Sequence, residues 1–139
     1  MLTLTIHNDV SEMAALEPFV EQISEEYGLD MAFSFQLQLS LDEAVSNVVN
    51  YAYGEQKGMP ITIEAQETTV GDRRQLELRL IDNGVEFNPL SEAPEVDVTL
   101  SAEDRQVGGL GIFLIRQVMD EVNYERKSDQ NLLTMIKYL

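Results

Sequence analysis

The hydrophobic period changes along this chain, and that change limits the folds open to it. Residues 2–7 alternate apolar and polar and read as a strand. From Val10 the period becomes helical: Val10, Met13, Ala14, Leu16, Phe19, Val20 and Ile23 recur at three- and four-residue steps up to Gly28, a helix stop. Asp9 or Asn8 can cap this helix, with Glu12 three residues beyond Asp9, and Pro18 either kinks it or restarts it. Asp30 caps a longer helix to about Tyr53, closed by Gly54, with Phe33, Leu37, Leu41, Ala44, Val45, Val48 and Ala52 on its apolar face. Alternation then returns at Ile61–Ala65 and Leu76–Ile81 around the turn pair Gly71-Asp72, a hairpin pattern. Asp82 to Val107 holds two prolines, many acids and little periodicity; a loop of that length is expected to be functional. A helix over Leu110–Val122 and a hairpin of Val122–Arg126 with Leu132–Leu139 close the chain. The order β-α-α-β-β-loop-α-β-β predicts an α+β domain in two layers, a mixed or antiparallel sheet with helices on one face. At 139 residues, with no internal repeat or linker, one domain over 1–139 is expected.

Composition excludes several function classes. With no cysteine and one histidine, thiolate metal sites, disulfides, a histidine-based zinc site and a Ser-His-Asp triad have little room. His7 reads as structural, since it has no partner acid nearby in sequence. The net charge of −16 repels nucleic acid and anionic membranes and favours a protein partner with a basic patch. No apolar run approaches the length of a membrane span, and the N-terminus lacks the basic start of a signal peptide. These features favour the cytoplasm.

Three separated motifs carry the chemistry. Glu43 and Asn47 are one helical turn apart, about 40° around the axis, at the margin of the apolar face. A carboxylate there can act as a general base, and an Asn carbonyl is a hard ligand for Mg²⁺ beside phosphate oxygens. Ordinary solvated helix residues would give the same pair. Asp82-Asn83-Gly84 follows an apolar strand. It is either a plain turn or an acceptor for the exocyclic amine of adenine, with Gly84 letting the backbone approach the base. Gly108-Gly109-Leu110-Gly111 opens the last helix, against helix propensity, where free amides can hold phosphate. A loose helix cap is the other reading of that run. Arg105 could clamp a phosphate or lie on the surface, and Thr134 could meet adenine or only fit its strand. Taken together, the order and spacing are those of a site for ATP and Mg²⁺.

With these residues in view the chain resembles the GHKL superfamily of ATP-binding domains, and within it the bacterial anti-sigma-factor serine kinases. Glu43-Ala44-Val45-Ser46-Asn47 with Tyr51-Ala52-Tyr53 resembles the family's N box, which implies Glu43 as catalytic base and Asn47 as Mg²⁺ ligand. Asp82-Asn83-Gly84 resembles the first glycine box, with Asp82 reading adenine, although Glu86 stands where many relatives have a second glycine. Gly108-Gly109-Leu110-Gly111-Ile112 resembles the phosphate-binding end of the ATP lid. Asn131-Leu132-Leu133-Thr134 resembles the closing strand that brings a Thr to the base. The resemblance implies the Bergerat α/β sandwich and a histidine-kinase-like ATP-binding domain that phosphorylates a serine on a STAS-like anti-anti-sigma protein and sequesters a sigma factor. It also implies homodimers. The alternative is a non-catalytic binding module, gated by nucleotide or holding none, a reading that Glu86 keeps open.

Overall fold

The computed structural model describes residues 1–92 and 109–139. Five antiparallel strands form one sheet in the order β1-β2-β3-β5-β4. They are β1 (Leu2–His7), β2 (Pro60–Val70), β3 (Arg73–Asp82), β4 (Glu121–Lys127) and β5 (Gln130–Tyr138). Register aligns the inward positions into cross-strand rows. Leu4, Ile63, Leu80, Leu133 and Tyr124 make one row, and Leu2, Ala65, Leu78, Met135 and Val122 make the next. The row at the far edge turns polar: Ile6, Ile61, Asp82, Asn131, Arg126. Among the described residues, helices cover this inner face, where the core lies.

The first helical stretch is broken, as Pro18 requires. A 3₁₀ segment spans Val10–Ala15, and α1 runs Leu16–Tyr27, so Pro18 falls in the first turn, where its missing N–H is not needed. Asp9 caps the 3₁₀ segment through Ser11 N. Glu12 does not complete a capping box with Asp9. Its carboxylate instead accepts from His7 N at 3.0 Å and lies 3.2 Å from His7 Nδ1, so the histidine does have an acid partner. Gly28, at φ 67°, supplies the left-handed turn that stops α1.

Asp30 caps α2 (Met31–Asn47), accepting from Phe33 N at 2.7 Å. The helix then widens into a π-helical turn over Val48–Tyr53, closed by the bond from Gly54 N to Val49 O. A short helix, α3 (Pro89–Glu92), lies within the stretch expected to be a loop; residues 93–108 of that stretch lie outside the described residues. The last helix, α4 (Gly109–Val118), packs against α2 and is shorter than its periodicity suggests. Asp120 N bonds Ile136 O, which pulls the chain into the sheet before Val122.

Candidate functional site

The three motifs converge where α2, the end of β3 and the start of β5 meet. A recess there is lined by Ala44, Asn47, Val48 and Ala52 of α2 and its π turn, by Leu80 and Asp82, and by Leu133 and Asn131, with Phe87, Pro89 and Tyr124 completing the wall. Its free volume is about 20 Å³, room for little more than a water molecule. A purine therefore needs the wall to open. Phe87 is half-buried, and its ring stacks on Tyr51 with centroids 5.1 Å apart, so an aromatic pair joins the π turn to the loop after Asp82.

Asp82 is buried at the polar edge row. Its Oδ1 accepts from Gly84 N at 2.8 Å and from Asn131 Nδ2 at 2.9 Å. Among the described residues its other oxygen takes no hydrogen bond and can accept from a ligand amine. Burial pushes the Asp82 carboxyl up from the usual range; the Asn131 and Gly84 bonds and the nearby Arg126 charge pull the other way. Gly84 is needed for a close approach within the chain itself. A Cβ there would lie 2.6 Å from Ala52 O, so glycine lets the loop press on the π turn. Val85 N donates to Ala52 O at 2.9 Å and Asn83 N to Tyr53 Oη at 2.8 Å, fastening the two segments together. Glu86, at the second-glycine position, is exposed.

Thr134 is not brought to the recess. Strand alternation sends it to the outer face, opposite Asn131, Leu133 and Met135. The residue of β5 that meets Asp82 is Asn131, one residue before the strand start that alternation suggests at Leu132. Its Oδ1 accepts from Tyr124 Oη at 2.5 Å, Phe87 N at 3.2 Å and Arg126 Nη1 at 3.3 Å, which fixes Nδ2 toward Asp82 and Val85 O. The signal was present in the alternation, since Leu133 and Met135 facing inward place residue 131 inward too.

Glu43 and Asn47 lie on α2 as expected. Asn47 lines the recess and Glu43 sits one turn before it. Glu43 Oε1 and Asn47 Nδ2 are buried without a hydrogen-bond partner among the described residues. Such orphaned polar atoms are costly in a finished interior and normal where a ligand completes the site. Burial alone raises the Glu43 pKa. α4, which packs against α2, begins at Gly109, with Leu110 and Gly111 in its first turn, where a helix leaves its amides without intrahelical acceptors. Arg105 and Gly108 lie outside the described residues. Among the described residues no cluster of three His, Cys, Asp or Glu could hold a metal by itself, so Mg²⁺ would fit here only when shared between the Asn47 carboxamide oxygen and phosphate oxygens.

Comparison with known proteins agrees with this geometry. The histidine kinase-like ATPase domain family matches residues 6–137. The chain is 32% identical over 104 residues to the serine/threonine-protein kinase BtrW of Bordetella bronchiseptica, covering 75% of this chain and 70% of that protein. It is 35% identical over 89 residues to the serine-protein kinase RsbW of Listeria monocytogenes, covering 62% of this chain and 54% of the relative. It is 30% identical over 107 residues to RsbW of Bacillus cereus, 74% and 62%. The chain thus matches less than two thirds of the length of these RsbW relatives. The antiparallel sheet with helices on one face, the recess at Asp82 and the span of the match lead to one conclusion: the chain belongs to the histidine kinase-like ATPase domain family.

Proposed function

We propose that this protein is an ATP-dependent serine/threonine-protein kinase that acts as an anti-sigma factor, phosphorylating a serine on an anti-anti-sigma protein and sequestering a sigma factor. The observation that carries the reading is the half-buried Glu43 carboxylate, its Oε1 without a donor among the described residues, one helical turn from Asn47, which lines the recess with Asp82. The names of the relatives add support on the side of activity. Bound Mg-ATP supplies the γ-phosphoryl group and leaves as ADP. In this reading Glu43 takes the proton from the serine hydroxyl as its oxygen bonds phosphorus. The Asn47 carboxamide holds Mg²⁺, Asp82 accepts from the exocyclic amine of adenine, and Asn131 keeps the Asp82 carboxylate turned to receive it. Amides of Gly109, Leu110 and Gly111 cradle phosphate at the start of α4, with Gly108 and Arg105 expected just before them. Burial serves the base directly: a carboxylate partly removed from water, with Oε1 lacking a hydrogen-bond donor among the described residues, is a better proton acceptor. Glu43→Ala is expected to lower transfer by about 10²–10⁴-fold while Mg-ATP still raises the melting temperature by mass action. Equal turnover of wild type and variant, measured with radiolabelled ATP and a serine-bearing acceptor, removes Glu43 from the reaction.

A further inference from the structure

The helix that carries Glu43 is apolar on two sides. Its inner side, with Phe33, Leu37, Leu41 and Ala44, packs into the core. Its outer side carries Met31, Phe35 and Leu39, each four residues from the next and therefore on one row of the helix surface. These three are 89%, 65% and 39% exposed. A surface helix ordinarily shows polar residues there. No charged residue occurs from Met31 to Leu41, in a chain that is 24% charged. The core does not need this row, and an exposed contiguous apolar surface marks a contact site.

The row has a direction. Four residues beyond Leu39 stands Glu43, and four beyond that Asn47, which is 3% exposed. Each four-residue step rotates about 40° around the axis, so the row leaves solvent at Met31 and enters the cleft at Asn47. On the neighbouring helix, the half-exposed Phe113 adds apolar surface near the glycine start of α4. A bound nucleotide has no use for a track outside the recess. A protein presenting a hydroxyl to Glu43 must lie along it.

We propose that Met31, Phe35 and Leu39 form the docking track for the protein substrate, resting on the kinase reading above. An apolar segment beside the acceptor serine packs on Phe35 and Leu39, and the hydroxyl arrives at Glu43 where the track ends. The charge pattern states the rest of the partner's chemistry. An uncharged strip inside a surface of net charge −16 suits an apolar patch rimmed by Lys and Arg, the usual anatomy of a protein contact.

The test uses the Met31→Gln/Phe35→Gln double variant, which keeps helix propensity at exposed positions. Transfer from radiolabelled ATP is measured to a purified STAS-like anti-anti-sigma protein from the same genome. The expected result is a KM for that protein raised about tenfold or more, with kcat and the Mg-ATP thermal shift unchanged and Phe35→Leu close to wild type. An unchanged KM overturns the track while leaving the kinase reading standing. A wild-type chain that transfers nothing fails the kinase reading and takes the track with it. An unchanged KM with a wild-type dimer that becomes a monomer on light scattering assigns the row to a second copy and overturns the proposal.

Discussion

Glu43 is held in the fold at a cost, and the sign of that cost is testable. Burial raises its pKa, so the folded state prefers the protonated form. The stability this group lends is present below the ordinary glutamate range and is lost as pH rises through the raised value. At neutral pH Glu43→Gln is therefore expected to raise the melting temperature by roughly a few degrees in calorimetry while transfer falls away. Transfer by the wild type should fade on the acid side at a pH above the usual carboxylate range, and the Gln variant should show no such limb. Asn131 has the opposite role. Asn131→Ala strands Tyr124 Oη and the Phe87 amide and frees Asp82, so a loss of about 1–3 kcal/mol in denaturant unfolding is expected, with weaker ATP binding. That Glu43, Asn47 and Asp82 would gather near one recess was legible because each sits in a spaced motif. Asn131 was not, because its importance arises from a pairing with Asp82 across the sheet, and the motif resemblance pointed three residues further to Thr134.

At the scale of elements, the π turn and the loop after β3 work as one piece. The loop presses on the helix end through Gly84, and Val85 N and Asn83 N bond back to Ala52 O and Tyr53 Oη. Gly84→Ala is expected to destabilise by about 1–3 kcal/mol, since the clash at 2.6 Å is with backbone that cannot step aside. A Tm drop with unchanged secondary structure by circular dichroism is the readout. Strands and both long helices were legible from period and caps: Asp30 and Gly28 mark the ends where α2 begins and α1 stops. The widening at Val48–Tyr53 was not, because the apolar spacing runs through it unbroken and only the contact with the Asp82–Val85 loop distinguishes it. The short helix Pro89–Glu92 was likewise hidden in an aperiodic stretch, although Asn88 Oδ1 accepting from Leu90 N is an ordinary cap.

For the whole molecule, charge and core are the governing quantities. With 25 acids against 9 basic residues the folded chain repels itself, and added monovalent salt is expected to raise its melting temperature before any ligand is present. A melting curve flat from low to physiological salt would show that the acids are too dispersed to matter. The two-layer architecture was legible from the order of periods, whereas the strand order β1-β2-β3-β5-β4 depends on which edges find one another and leaves no local trace. That architecture keeps the apolar interior of the described residues in one slab, and Ala44, Val48, Ala52, Leu80 and Leu133 belong both to the slab and to the wall of the recess. Admitting a base therefore means loosening the same packing that keeps the protein folded. For the proposed kinase, nucleotide turnover is expected to follow the breathing of the interior, and the amides of β3 and β5 should exchange with deuterium more slowly the longer a nucleotide stays.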